Sequence, residues 1–208
     1  MKQKRGKKNQ RFSLREEYKK SWDYIRDSRS FIYFVIISFF ILALVAFFFN
    51  QFINNLINSL LGINLNEQIL GFLEELLAKT QNMSQLELIK FIFFNNLSSS
   101  FFGMVFGAAL GIFPLISIIT NGYLLGLVSS MASGEGGLIV LFRLLPHGIF
   151  ELPAVFISLG LGLKLSTFIL QKNKGEAFRD YLWNSLRVFI LIVIPLLIIA
   201  AIIEGSLI

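Results

Sequence analysis

From Phe31 to Phe49 the chain runs 19 residues without a charged side chain. As a helix this run covers about 28 Å, close to the roughly 30 Å of a bilayer's hydrocarbon core. Four more apolar runs follow, at about 91–112, 115–132, 138–163 and 188–204. The chain therefore reads as an all-α, polytopic membrane helix bundle with about five transmembrane helices. Composition agrees: 55% of the 208 residues are hydrophobic and 23 are Phe, which leaves too little polar surface for a soluble domain of this size. An ordinary soluble enzyme, a disordered chain and a disulfide-built secreted domain are excluded, the last also by the absence of cysteine.

The charge is lopsided. Residues 1–30 hold eleven of the 19 Lys and Arg residues against four acids. They form a basic cytoplasmic juxtamembrane segment ahead of a single transmembrane domain, 31–208. Cations beside a span stay on the inner side and attract anionic lipid. No basic folded module or stacking aromatics accompany them, so nucleic acid is not an expected partner. The charged leader is too long for a cleaved signal peptide and no A-x-A-like site follows, so the first span reads as retained. The segment 164–187 adds five basic residues against two acids, whereas 50–90 carries two against four. Five spans with the N-terminus cytoplasmic and the C-terminus outside put nearly all the cations on one side.

Between the first two spans, Ile53, Leu56, Ile57, Leu60 and Leu61 recur at helical spacing, as do Ile69, Leu70, Leu73, Leu76 and Leu77. The outer segment 50–90 thus predicts two amphipathic helices, either covering the bundle or docking a partner. Ser84 followed by Glu87 predicts a capping box at the next helix. In 164–187, Phe178, Leu182, Trp183 and Leu186 share one side of an interfacial helix that runs into the last span.

Small residues mark close helix contacts. Gly103, Gly107 and Gly111 lie four apart in the second span, and Gly122 and Gly126 in the third. Such faces serve packing within the chain or against a second copy, so a homodimer is a candidate assembly. Arg143, His147 and Glu151 are also four apart and share one stripe of the fourth span. Ionisable groups at this depth pair and face the bundle interior. Pro146 and Pro153 remove helix donors beside them, which predicts a kinked or broken fourth helix. Asn96 opens the second span, Asn121 sits inside the third and is expected to hydrogen-bond across helices, and Glu204 ends the fifth. Four roles stay open for this intramembrane polar set: a structural network, a proton-linked relay through His147, a hydrolytic site, or a lipid-headgroup site around Arg143. One His and no Cys make a poor zinc set, and neither H-E-x-x-H nor G-x-S-x-G occurs. No catalytic residue, metal or cofactor is expected.

The motifs Asn95-Asn96-Leu97, Asn121-Gly122 with Gly126, Pro146-His147-Gly148 with Glu151, and Pro195 with Glu204 resemble the stage II sporulation protein M family over roughly 90–208. The resemblance implies a multi-pass protein of the cell (inner) membrane that works with other membrane proteins rather than as an enzyme. In spore formers, members are implicated in engulfment beside membrane-anchored cell-wall hydrolases; others occur in organisms that form no spores. His147 and Glu151 match its Pro-His-Gly…Glu motif, and Asn96, Asn121 and Glu204 match its other polar positions. The function expected is a non-enzymatic component of a membrane-protein complex, with a small proton-linked transporter and an intramembrane hydrolase centred on His147 and Glu151 as alternatives.

The topology is testable because the sequence holds no competing thiol. A Lys174→Cys variant should react with an impermeant maleimide only after cells are permeabilised. Labelling in intact cells would invert or break the five-span arrangement.

Overall fold

The computed structural model describes residues 13–136 and 141–207, without the side chains of 134–147 and 207. Every regular element in it is helical. In chain order these are α1 Leu14–Asp27, α2 Arg29–Leu61, α3 Leu65–Thr80, α4 Gln85–Val105, α5 Ile112–Gly136, α6 Leu141–Ser166, α7 Lys174–Val188 and α8 Ile194–Leu207. Five of its helical stretches are long and apolar enough to cross a membrane: Arg29–Leu61, Gln85–Ala108, Ile112–Ser133, Gly148–Leu170 and Lys174–Ser206.

Local chemistry sets the boundaries. Glu16 and Glu17 occupy the first turn of α1 and Arg26 its last, which complements the helix dipole. Ser28 alone separates α1 from α2. No Gly or Pro interrupts Arg29–Leu61, so the first stretch expected as a separate amphipathic helix is instead the end of α2. At 33 residues and about 50 Å, α2 is longer than the hydrocarbon core. It stops at Gly62, whose φ of 68° lies in the left-handed region. The expected cap on α4 is present, with the Ser84 backbone N–H donating to the Glu87 carboxylate at 2.9 Å. A 3₁₀ turn at Phe106–Ala108 and a reversal through Gly111, φ 72°, join α4 to α5. Pro114 falls in the first turn of α5, where its missing N–H costs nothing.

Between α7 and α8 the last span widens to a π-helical turn, Phe189–Val193, directly ahead of Pro195. A proline ring crowds the carbonyl four residues back, here Leu191, and the wider turn relieves that crowding. By contrast α6 stays helical through Pro146 and Pro153, so it is not broken there.

The bundle is organised around α6. Its residues Ser158 to Leu163 are buried without exception. On one side Leu159 and Leu163 join Val35, Phe39 and Ile118 of α2 and α5. On another, Ala154 and Leu161 join Met104, Val188, Val193 and Leu197. The glycines expected to bring helices close do so within this chain. A Cβ on Gly107 would run into the backbone of Gly162, and one on Gly103 would sit 2.7 Å from the Leu159 side chain. Gly122 and Gly126 receive α2 at Phe39 and Ala43 in the same way, and Gly160 receives Ile32.

Alternate helices bring α1, α7, the C-terminus of α6 and the N-terminus of α2 to one end. Among described basic side chains, only Lys79 and Lys90 lie at the other, far end, beside α3. No residue of α3 is fully buried.

Gly107→Leu should therefore lower the unfolding midpoint sharply in detergent, since overpacking costs about 1–3 kcal/mol or more. Gly71→Ala, which meets nothing within 4 Å on α3, should leave it unchanged or raise it. Equal melting of the two variants would show that the α4–α6 approach is not limiting.

Candidate functional site

The glycine contacts fix how the helices face one another, and with that the placement of the polar residues. Gly107 meets Gly162. Gly107 lies in the 3₁₀ turn that follows α4; eleven residues before it is Asn96 of α4, and eleven before Gly162 is Glu151 of α6. Eleven residues are three helical turns, so both positions return to the contacting faces. α4 and α6 run in the same direction, so Asn96 and Glu151 lie at about the same level on the two helices. Both are partly buried. Glu204, also partly buried, lies on α8 beside Gly205, which packs against Ile89 of α4. By helix rise it stands about 9 Å nearer the far end than Asn96. Asn96, Glu151 and Glu204 thus lie on three mutually packed helices.

His147, Arg143 and Pro146 fall in the described part of α6 as backbone, but their side chains lie outside the described residues. His147 sits one turn beyond Glu151 and Arg143 two turns. Pro153 is exposed. Gly148 and Leu152 of α6 line an apolar groove of about 510 Å³ with Phe40, Ala43 and Gly126. Among the described residues, no group of three or more His, Asp or Glu side chains could hold a metal ion.

Asn121 is not gathered with the others. It is exposed, and its amide donates to the Ser117 carbonyl at 2.8 Å on its own helix. Gly122 next to it must face α2, which turns Asn121 off the bundle. Asn50 makes a cross-helix amide bond instead, donating to Ser130 Oγ at 3.0 Å.

A second polar cluster, at the basic end, was not singled out in the sequence. Lys164 donates to Ser28 Oγ at 3.1 Å and lies 3.9 Å from the centre of the Tyr24 ring. Ser28 in turn donates to the Tyr24 carbonyl at 2.6 Å. Arg187 of α7 reaches the Glu17 carboxylate at 2.6 Å. These contacts fasten α1 to the ends of α6 and α7. The signal was present: Lys164 is one cation within an apolar run, and such a group needs a partner. Burial pushes the Tyr24 phenol up to about 12. The Lys20 hydrogen bond, with help from Arg187, holds the Glu17 carboxyl below its ordinary value.

Two signs follow. The contribution of Glu17 is complete above the ordinary carboxylate value of 4.5 and is lost as pH falls through its lowered one. The contribution of Tyr24 is complete below 10 and is lost as pH rises towards about 12. Protection of the α1 amides, relative to their intrinsic exchange rates, should therefore be highest between these limits and fall beyond either, while α6 stays protected. Protection of α1 that does not fall on either side of these limits would dismiss the docking.

A family model described as stage II sporulation protein M matches residues 31–207. The uncharacterized protein MJ0706 of Methanocaldococcus jannaschii is 33% identical over 138 residues, 64% of this chain and 61% of the relative. The uncharacterized protein MJ0793 of the same organism is 34% identical over 110 residues, 48% of this chain and 62% of the relative. The chain spans about three-fifths of the length of these curated relatives. No solved structure matches it.

Proposed function

The chain belongs to the stage II sporulation protein M family, and from that membership we propose that it is a non-enzymatic, multi-pass component of a membrane-protein complex. What supports this reading is that Asn96 and Glu151 stand at about the same level on two glycine-packed helices. A carboxyl and an amide at one level of a closely packed pair suit a structural network. The groove beside α6 is lined by apolar side chains and Ser129, which suits neither a proton path nor a hydrolytic cleft. In this reading His147 and Glu204 extend the network from Glu151 towards the far end, and Arg143 closes it at the membrane surface. Asn121 stands outside it.

The reading includes the cytoplasmic placement of the N-terminus and the outside placement of the C-terminus in a cell membrane. The segregation of described cations to the α1 end supports it. Anionic lipid of the inner leaflet gathers at that end. The intramembrane glycine faces are filled within the chain. A second copy, if it joins the complex, docks elsewhere.

A double-mutant cycle tests the pair. Asn96→Leu and Glu151→Leu should each lower the melting temperature in detergent, and their effects should couple by about 0.5–1.5 kcal/mol. Strict additivity would remove the pair from the network. His147→Ala that melts like the parent yet loses a solute flux would move the reading to the transporter. Crosslinking in native membranes should recover a second membrane protein, and repeated recovery of none would overturn the complex.

A further inference from the structure

The face of α4 turned away from α6 carries polar groups where hydrocarbon should lie. Asn95 and Ser98 are both exposed on it, roughly 7–12 Å along the helix below Lys90. An amide or hydroxyl facing hydrocarbon without a partner is costly. These two residues line a furrow of about 730 Å³ with Phe91 and Phe94, roofed by the end of α3. Lys79 and Lys90 line the upper part of the same furrow. They are the two basic residues of the whole stretch 30–142, and the fold brings both to one place.

Neighbouring acids leave the ammonium groups usable. Lys79 pairs with Glu75 at 2.7 Å, but both side chains are well exposed, and a Lys head has three donors. The Glu87 carboxylate also lines the furrow and feels the Lys90 charge, but its hydrogen bonds go to Ser84 in the helix cap, which leaves the Lys90 donors open.

We propose that this furrow binds one glycerophospholipid of the far-end leaflet. The order of chemistry along α4 matches such a molecule. Two ammonium groups at the membrane surface meet the phosphate. About 7–8 Å deeper, the Asn95 amide meets the oxygens that join the chains to glycerol. Phe91 and Phe94 form the wall along which an acyl chain lies, Phe94 being 59% exposed. The shared chemistry is a phosphate ester. A lipid satisfies the lower half of the furrow as well, whereas a soluble phosphate ester satisfies only the upper half.

Native mass spectrometry of the full-length protein in detergent tests this with three probes: phosphatidylglycerol, diacylglycerol and soluble glycerol phosphate. One phosphatidylglycerol should survive activation that strips the rest. Diacylglycerol should not, and glycerol phosphate should neither bind nor compete at equal concentration. Lys79→Gln with Lys90→Gln should cut the retained fraction about ten-fold. Asn95→Leu should cut it too, while Lys172→Gln with Lys174→Gln at the opposite end should leave it unchanged. The Arg replacements of Lys79 and Lys90 should retain lipid, which separates charge from folding. Equal retention by the Gln pair and the parent would overturn the site. So would retention of diacylglycerol as strongly as phosphatidylglycerol. Binding of glycerol phosphate at the lysines would reassign them to a soluble ester. Crosslinking of a Ser98→Cys variant to another polypeptide in native membranes, with lipid retention unaffected by any variant, would give the furrow to a protein.

Discussion

Two glycine backbones, Gly107 and Gly162, make the approach on which the bundle depends. Between helices in lipid no water is released by association, so packing rests on dispersion and on how closely the backbones come together. A side chain at either position would separate α4 from α6. α6 is also held at Gly160 by Ile32 of α2, so it cannot retreat. With contacts on both sides, its stretch from Ser158 to Leu163 has no face left for lipid. α6, held on both sides, has little freedom to rotate.

That fixed rotation decides which polar residues meet. Asn95 and Asn96 are neighbours in sequence, yet Asn96 lies three turns from Gly107 and faces α6, while its neighbour is turned out. Glu151 stands in the same relation to Gly162. Asn121 follows from the reverse case: Gly122 faces α2, and the residue beside it cannot. Of the candidate site, the sequence holds the levels of Asn96 and Glu151, because the spacing from Gly107 and Gly162 is the same on both helices. The expectation for Asn121 failed because it was argued from depth in the membrane alone, without the glycine next to it.

The spans, the Ser84–Glu87 cap and the run of α7 into the last span were also legible, since each rests on local chemistry. The docking of α1 was not. It depends on Lys164, which lies more than a hundred residues from Tyr24 and Ser28 in the chain and meets them only once the bundle has formed. The π turn at Phe189–Val193 lay between these cases. Pro195 announces a disturbance in the helix, but whether the chain bends, breaks or widens depends on the neighbours. Here Val188, Phe189 and Val193 are packed into the core beside Met104 and Leu161, which favours keeping the axis and absorbing the proline in a wider turn.

α4 is polar on two sides, and the two sides touch. The Asn95 amide donates to the Asn96 side-chain oxygen at 3.4 Å, the long end of hydrogen bonding. Asn96 stands level with Glu151 of α6, and Asn95 lines the outward furrow. On the two proposals made above, a molecule in the furrow that offers Asn95 a better acceptor would draw its amide away from Asn96, whose oxygen would then be open to a donor from within the bundle. Occupancy of the furrow and the state of the proposed inner network would be linked through one weak bond, and such linkage is reciprocal. Glu151 on α6 would then have a physical route to the lipid face of the protein that does not require either helix to move.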